Sequence, residues 1–139
     1  MSLALRCTTF WILALAFSGC DKERRPDKLV VPSGFSGWVT VHYLVTGAPS
    51  LPIEQGKNVI RVDGHGEIST SSNYEAGSAK DEYYFDDGHS LTLIPEEGQG
   101  NGTHAWRAYR ESQGGRVFDR FFIGTTQEYA AASKKAPIR

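Results

Sequence analysis

"WVTVHYLV", residues 38–45, alternates Val39, Val41, Tyr43 and Val45 with Trp38, Thr40, His42 and Leu44. A period of two is what a pleated strand with two unlike faces requires. Two more runs of this kind surround tight-turn signals, with Asp63-Gly64 inside "NVIRVDGHGEIST" and Asp87-Gly88 inside "EYYFDDGHSLTLI". Asp-Gly suits a hairpin because the turn takes positive φ, which glycine adopts without a steric penalty. A third hairpin is expected at Gly114-Gly115, between strands near His104 to Arg110 and Arg116 to Ile123. Roughly seven short strands without crossover helices predict an all-β fold, a single antiparallel β-sandwich with a small barrel as the alternative. Thr125 and Glu128 have the spacing of a capping box, and "QEYAAASKK" ends in Lys134 and Lys135, so a short C-terminal helix is expected.

The other end of the chain is organised differently. From Thr8 to Ser18 it is apolar, about half the length that a bilayer-spanning helix of roughly twenty residues needs. Arg6 precedes the run and the small Ser18 and Gly19 follow it, which is the layout of an export signal. Ala16 to Cys20 resembles the lipobox of bacterial lipoproteins, in which the cysteine thiol takes a diacylglycerol and becomes the acylated first residue. On that resemblance residues 1–19 are a signal peptide, Cys20 is lipidated, and membrane contact runs through its acyl chains. Cys7 would leave with the signal, so no intramolecular disulfide is expected. The charged, Pro-containing stretch from Asp21 to Pro32 reads as a tether, giving residues 20–32 as cysteine plus linker and 33–139 as one β domain. By resemblance to lipoprotein sorting signals, Asp21 implies retention on the outer side of the cytoplasmic membrane, with the outer membrane as the alternative.

"VPSGFSGWVTVHY", "LPIEQG", "KDEYYF" and "FFIGT" together resemble an uncharacterised family of small bacterial lipoproteins, a domain of unknown function with a V-P-x-G-[FY]-x-G-W opening and an F-F-[IV]-G-T ending. The resemblance runs from about Val31 to Glu128 and implies no reaction, ligand or catalytic residue.

The densest constellation is "KDEYYFDDGH". Alternation places Asp81, Tyr83 and Phe85 on one face and Glu82, Tyr84 and Asp86 on the other. Carboxylates beside tyrosines can dock a sugar, a basic peptide or a cation, or the aromatics can pack a sheet while the acids solvate strand ends. Trp106 and Arg107 carry the same ambiguity, since Trp and Arg favour binding hot spots while Trp also anchors sandwich cores and an Arg paired with Asp119 is an ordinary surface contact. His42, His65, His89 and His104 show no His-x-His or His-x-x-x-His spacing, so no metal site is expected. "GFSG" around Ser36 lacks the nucleophile-elbow pattern, and the acid pairs Asp86-Asp87 and Glu96-Glu97 lie in turn sequence. No catalytic residue and no cofactor are expected.

Fifteen basic residues against sixteen acidic ones leave no positive field for nucleic acid. The expectation is a membrane-tethered, non-enzymatic binding or adaptor module of the bacterial envelope, meeting an envelope protein through Asp81, Glu82, Tyr83, Tyr84, Asp86, Trp106 and Arg107. The alternatives are an inhibitor or immunity lipoprotein acting on a wall-degrading enzyme or toxin, and a small-ligand-binding or hydrolytic β domain.

Overall fold

The structure, a computed structural model, describes residues 22–96, 102–113 and 115–135, with backbone alone for 108–113. The expected signal peptide and Cys20 lie outside the described residues. Among the described residues nine strands and one helix follow one another: β1 (Asp27–Pro32), β2 (Gly37–Tyr43), β3 (Ile53–Glu54), β4 (Lys57–Arg61), β5 (Glu67–Ser69), β6 (Glu82–Asp86), β7 (Leu91–Ile94), β8 (His104–Gln113), β9 (Arg116–Gly124) and α1 (Thr126–Lys135). They form a five-stranded sheet in the order β3-β4-β1-β6-β7 and a four-stranded sheet in the order β5-β2-β9-β8. This is a sandwich and not a closed barrel. The two strands beyond the expected seven are β1 and the two-residue β3.

β1 corrects the tether. Asp27 pairs with Asn58 of β4, and Lys28 pairs with both Val59 of β4 and Glu82 of β6, all in parallel, so residues 27–32 form the middle strand of the larger sheet. A central parallel strand is apolar on both faces, and Leu29, Val30 and Val31 are each almost fully buried. Among the described residues, paired structure therefore already includes Glu23, bridged to Ser78, ahead of the expected start at residue 33.

The chain switches sheets repeatedly, and the opposite sheet does the work of the missing crossover helices. β1 leads across the sandwich into β2 before the chain returns to the first sheet as β3 and β4, which allows parallel neighbours. For the same reason the Asp63-Gly64 hairpin does not form: β4 stays in the larger sheet while β5 crosses to pair in parallel with β2. The Asp87-Gly88 hairpin does form, joining β6 to β7, and β8 and β9 pair antiparallel up to Gln113 opposite Arg116, the arrangement expected of the third hairpin. Both Asp-Gly-His units share one local bond, in which the Asp carboxylate accepts the N–H of the histidine two residues on at 2.8 Å, but φ is positive at Gly88 and not at Gly64.

Leu29, Val31, Ile60, Tyr83 and Ile94 from one sheet meet Val39, Val41, Tyr43, Phe121 and Ile123 from the other. Outside the smaller sheet, Tyr129 of α1 stacks on Trp106 at 4.6 Å and lies against Trp38 and Phe122. The capping box closes as expected, with Thr125 N–H donating to Glu128 Oε2 at 2.7 Å. Among the described residues no helix is long and apolar enough to cross a membrane.

Candidate functional site

Charged groups rarely enter a core unless paired, yet five of them meet between the sheets. Asp27 opens β1, Asp81 precedes β6, Arg107 lies on β8, Asp119 on β9, and Arg24 folds in from the chain ahead of β1. Arg24 donates through Nη1 to Asp27 at 3.1 Å and through Nη2 to Asp81. Arg107 donates through Nη1 to the same Asp81 oxygen at 3.0 Å and through Nη2 to Asp119 at 3.3 Å. The other Asp81 oxygen accepts the Asp27 N–H at 2.9 Å, and Asn58 donates to Asp27 at 3.0 Å. Side-chain exposure is 2% for Arg24, 5% for Asp81 and 2% for Asp119, against 35% for Arg107. Asp81 is thus the hub, and Arg107 is the member that reaches solvent.

Its opening is a cleft of about 300 Å³ lined by Ala79, Asp81, Tyr83, Glu96, Ala105 and Arg107. Burial draws both guanidinium pKa values down, but the adjoining carboxylates outweigh it and hold the positive charge. Burial, reinforced by Asp27 beside Tyr43 and by Asp81 beside Tyr83, keeps both phenols neutral.

Among the described side chains of this cluster, Asp27 is the carboxylate whose burial works against its charge. Burial pushes its carboxyl above the usual range, against the opposing pull of the Asn58 hydrogen bond and the Arg24 charge. A carboxyl whose folded pKa is raised binds more protons folded than unfolded, so its contribution to stability falls as pH rises from the ordinary value of about 3.9 through the raised one. The expected outcome is that parent-minus-variant stability for Asp27→Asn declines with rising pH across that window and is flat at higher pH. Urea unfolding of both forms at several pH values measures it; a difference that rises with pH would contradict this assignment.

The remaining predicted residues lie elsewhere. Glu82, Tyr84 and Asp86 point away from the core, on the outer face of the larger sheet. Glu82 pairs with Lys57 and accepts the Tyr84 hydroxyl at 2.9 Å, while Arg61 donates to Asp86 at 3.1 Å. These pairs, with Lys28 over the Tyr84 ring, surround the buried Val30 and Val59. On the adjoining edge strand β7, Leu91 is 39% and Leu93 61% exposed, and Leu93 sits directly across from Tyr84. Trp106 belongs to the outer face of the smaller sheet, its indole N–H bonded to the Gly124 carbonyl at 3.1 Å.

Alternation correctly separated the two faces of β6. It placed Asp81 among contact residues, whereas Asp81 is buried, and it allowed Asp119 to be a surface partner, whereas Asp119 is 1% exposed. Beyond Arg107 the register of β8 shifts before Tyr109, so simple alternation does not continue through Ala108. Arg24 and Asp27 were hidden inside the supposed tether, where the continuous Leu-Val-Val run was the available sign of a buried strand.

The histidines are dispersed. His65 and His89 occupy exposed turns, the His42 ring is 6.0 Å from Phe118, and buried His104 is 6.0 Å from Trp106. Among the described residues no group of three or more His, Cys, Asp or Glu side chains is placed to hold a metal ion.

A family model described as "Family of unknown function" (DUF6843) matches residues 23–117. No curated protein matches the chain. A solved structure of a protein from Bacillus anthracis, described as a candidate lipoprotein, is similar with a TM-score of 0.60 and 22% identity over 80% of each chain, a likeness of fold.

Proposed function

The chain belongs to the family of unknown function DUF6843, and from that premise we propose that it is a lipid-anchored envelope domain whose task is to bind a protein partner without catalysing a reaction. The anchor is the diacylglycerol on Cys20, and the described fold starts almost at once after it. The description of the Bacillus anthracis neighbour as a candidate lipoprotein agrees with this reading.

The observation that carries the binding role is the edge strand β7. Among the described residues no strand covers its outer side, and it presents Leu91 and Leu93 beside Tyr84. An apolar centre within a rim of ion pairs matches the anatomy of protein interfaces, and an open edge offers main-chain hydrogen bonds to an extended segment of a partner. The partner's chemistry follows: a strand with alternate apolar side chains, added antiparallel or parallel to β7. The inhibitor version fits less well, because Glu82 and Asp86 are already committed to Lys57 and Arg61 rather than free to meet a basic enzyme. The hydrolytic version meets a similar obstacle, since Asp81 and Asp119 are held by guanidinium groups.

Two readouts test the reading. Acyl labelling and membrane fractionation should be positive for the parent and lost in Cys20→Ala; labelling that persists would refute the anchor. A photo-crosslinker at Leu93, compared with one at His65, should capture a protein that Leu91→Lys no longer captures. Equal capture from both positions, or capture insensitive to Leu91→Lys, would move the binding surface away from β7.

A further inference from the structure

The segment that follows Cys20 is fastened to the body on both its backbone and its side chains. Ser78 N–H donates to the Lys22 carbonyl at 3.0 Å, and Arg24 N–H donates to the Ser78 carbonyl at 3.1 Å. Arg24 Nε adds a bond to the Gly77 carbonyl at 3.1 Å before its guanidinium reaches Asp27 and Asp81 in the core. Gly77 has φ +139°, and a Cβ at that position would overlap the Lys22 carbonyl. The approach therefore depends on glycine. Only Asp21 separates Cys20 from Lys22, two residue steps that span at most about 7 Å, so acyl chains on Cys20 hold this end of the sandwich against the membrane.

Resting on the lipid-anchor reading above, we propose that the end of the domain formed by Lys22–Pro26, residues 73–80 and Glu96 is a membrane-facing surface that lies on bilayer headgroups. The anchored domain is thereby held in one orientation instead of swinging on a linker. Its charges fit such a surface. Exposed Arg25 and Lys80 alternate with Glu23, Glu75 and Glu96, and Arg25 lies 3.8 Å from Glu75. This mixed pattern complements headgroups that carry both a phosphate and an amine, with no need for anionic lipid. A cleft of about 650 Å³ bordered by Glu23, Pro26, Ser78, Lys80 and Glu96 belongs to the same end. The turn between β6 and β7 is the opposite end, roughly 20 Å away at the rise of a strand.

The lipidated protein offers a direct test, because Cys20 is blocked by its thioether and one introduced thiol can carry a fluorophore. Ala76→Cys labels the proposed contact end and His89→Cys the opposite turn, both exposed positions. In vesicles of phosphatidylcholine and phosphatidylethanolamine containing a headgroup-nitroxide lipid, the label at 76 should be quenched several-fold more than the label at 89. An insertion of about twelve Gly and Ser residues after Asp21, spanning roughly 20 Å as a coil, should abolish that difference while the protein still floats with the vesicles. Flotation with equal quenching at 76 and 89 would overturn the membrane-facing surface alone. Failure of the processed protein to float would overturn the anchor, and this surface with it.

Discussion

Asp81→Ala is expected to remove about 3–5 kcal/mol of folding stability, the range for breaking a buried ion pair from one side. The loss comes mainly from what is left behind. Asp81 receives a guanidinium hydrogen bond from Arg24 and another from Arg107, and its second oxygen satisfies the Asp27 N–H. Without it Arg24 Nη2 and the Asp27 N–H both lose their acceptor, and among the described side chains Arg24 keeps Asp27 as its carboxylate partner. Its neighbour supplies the control. Glu82 pairs with Lys57 near the surface, with side chains 28% and 26% exposed, so Glu82→Ala should cost no more than about 1 kcal/mol. Urea unfolding followed by tryptophan fluorescence compares the two directly. Equal, small losses would mean that the interior network contributes little to stability.

Phe121→Ala should cost a similar amount, about 3–5 kcal/mol, through lost transfer free energy and the cavity that remains. Phe121 is 1% exposed, and its ring meets Tyr83 edge to face at 6.0 Å. The Arg107 guanidinium lies over the same ring at 5.3 Å, so this side chain also supports the group that holds Asp81 and Asp119. The two substitutions should consequently be non-additive: the double variant Asp81→Ala/Phe121→Ala should lose at least 0.5 kcal/mol less than the sum of the singles, the scale expected for coupled neighbours. Strict additivity would show that the apolar core and the ionic network are independent.

Period and turn chemistry are local, and they were readable wherever local order decides the outcome. The alternation of β2 and β6, the Asp87-Gly88 hairpin, the β8–β9 hairpin and the Thr125–Glu128 cap all follow from residues close in sequence. Asp63-Gly64-His65 and Asp87-Gly88-His89 mark the limit of such reading. Each closes the same carboxylate-to-histidine N–H bond, yet Asp87-Gly88 joins strands of one sheet while Asp63-Gly64 sends the chain across the sandwich. The candidate site divides in the same manner. Glu82 and Tyr84 are two apart on one face and were legible together, whereas Asp81 meets Arg24 and Arg107 across 57 and 26 residues of sequence. No spacing rule reaches that far. β1 was missed because Lys22 to Asp27 is charged and carries Pro26, which looks like solvated linker until Arg24 and Asp27 are seen to face one another in the interior.

The central place of β1 also governs when the domain can fold. This first of the described strands needs partners from Asn58 onward on one side and from Glu82 onward on the other. Loop closure over such separations must precede any gain from pairing, which slows folding. A chain emerging N-terminus first consequently keeps this buried central strand unpaired until its neighbours follow. Piecemeal collapse is thereby discouraged, because this strand gains its pairing only once both neighbours are in place.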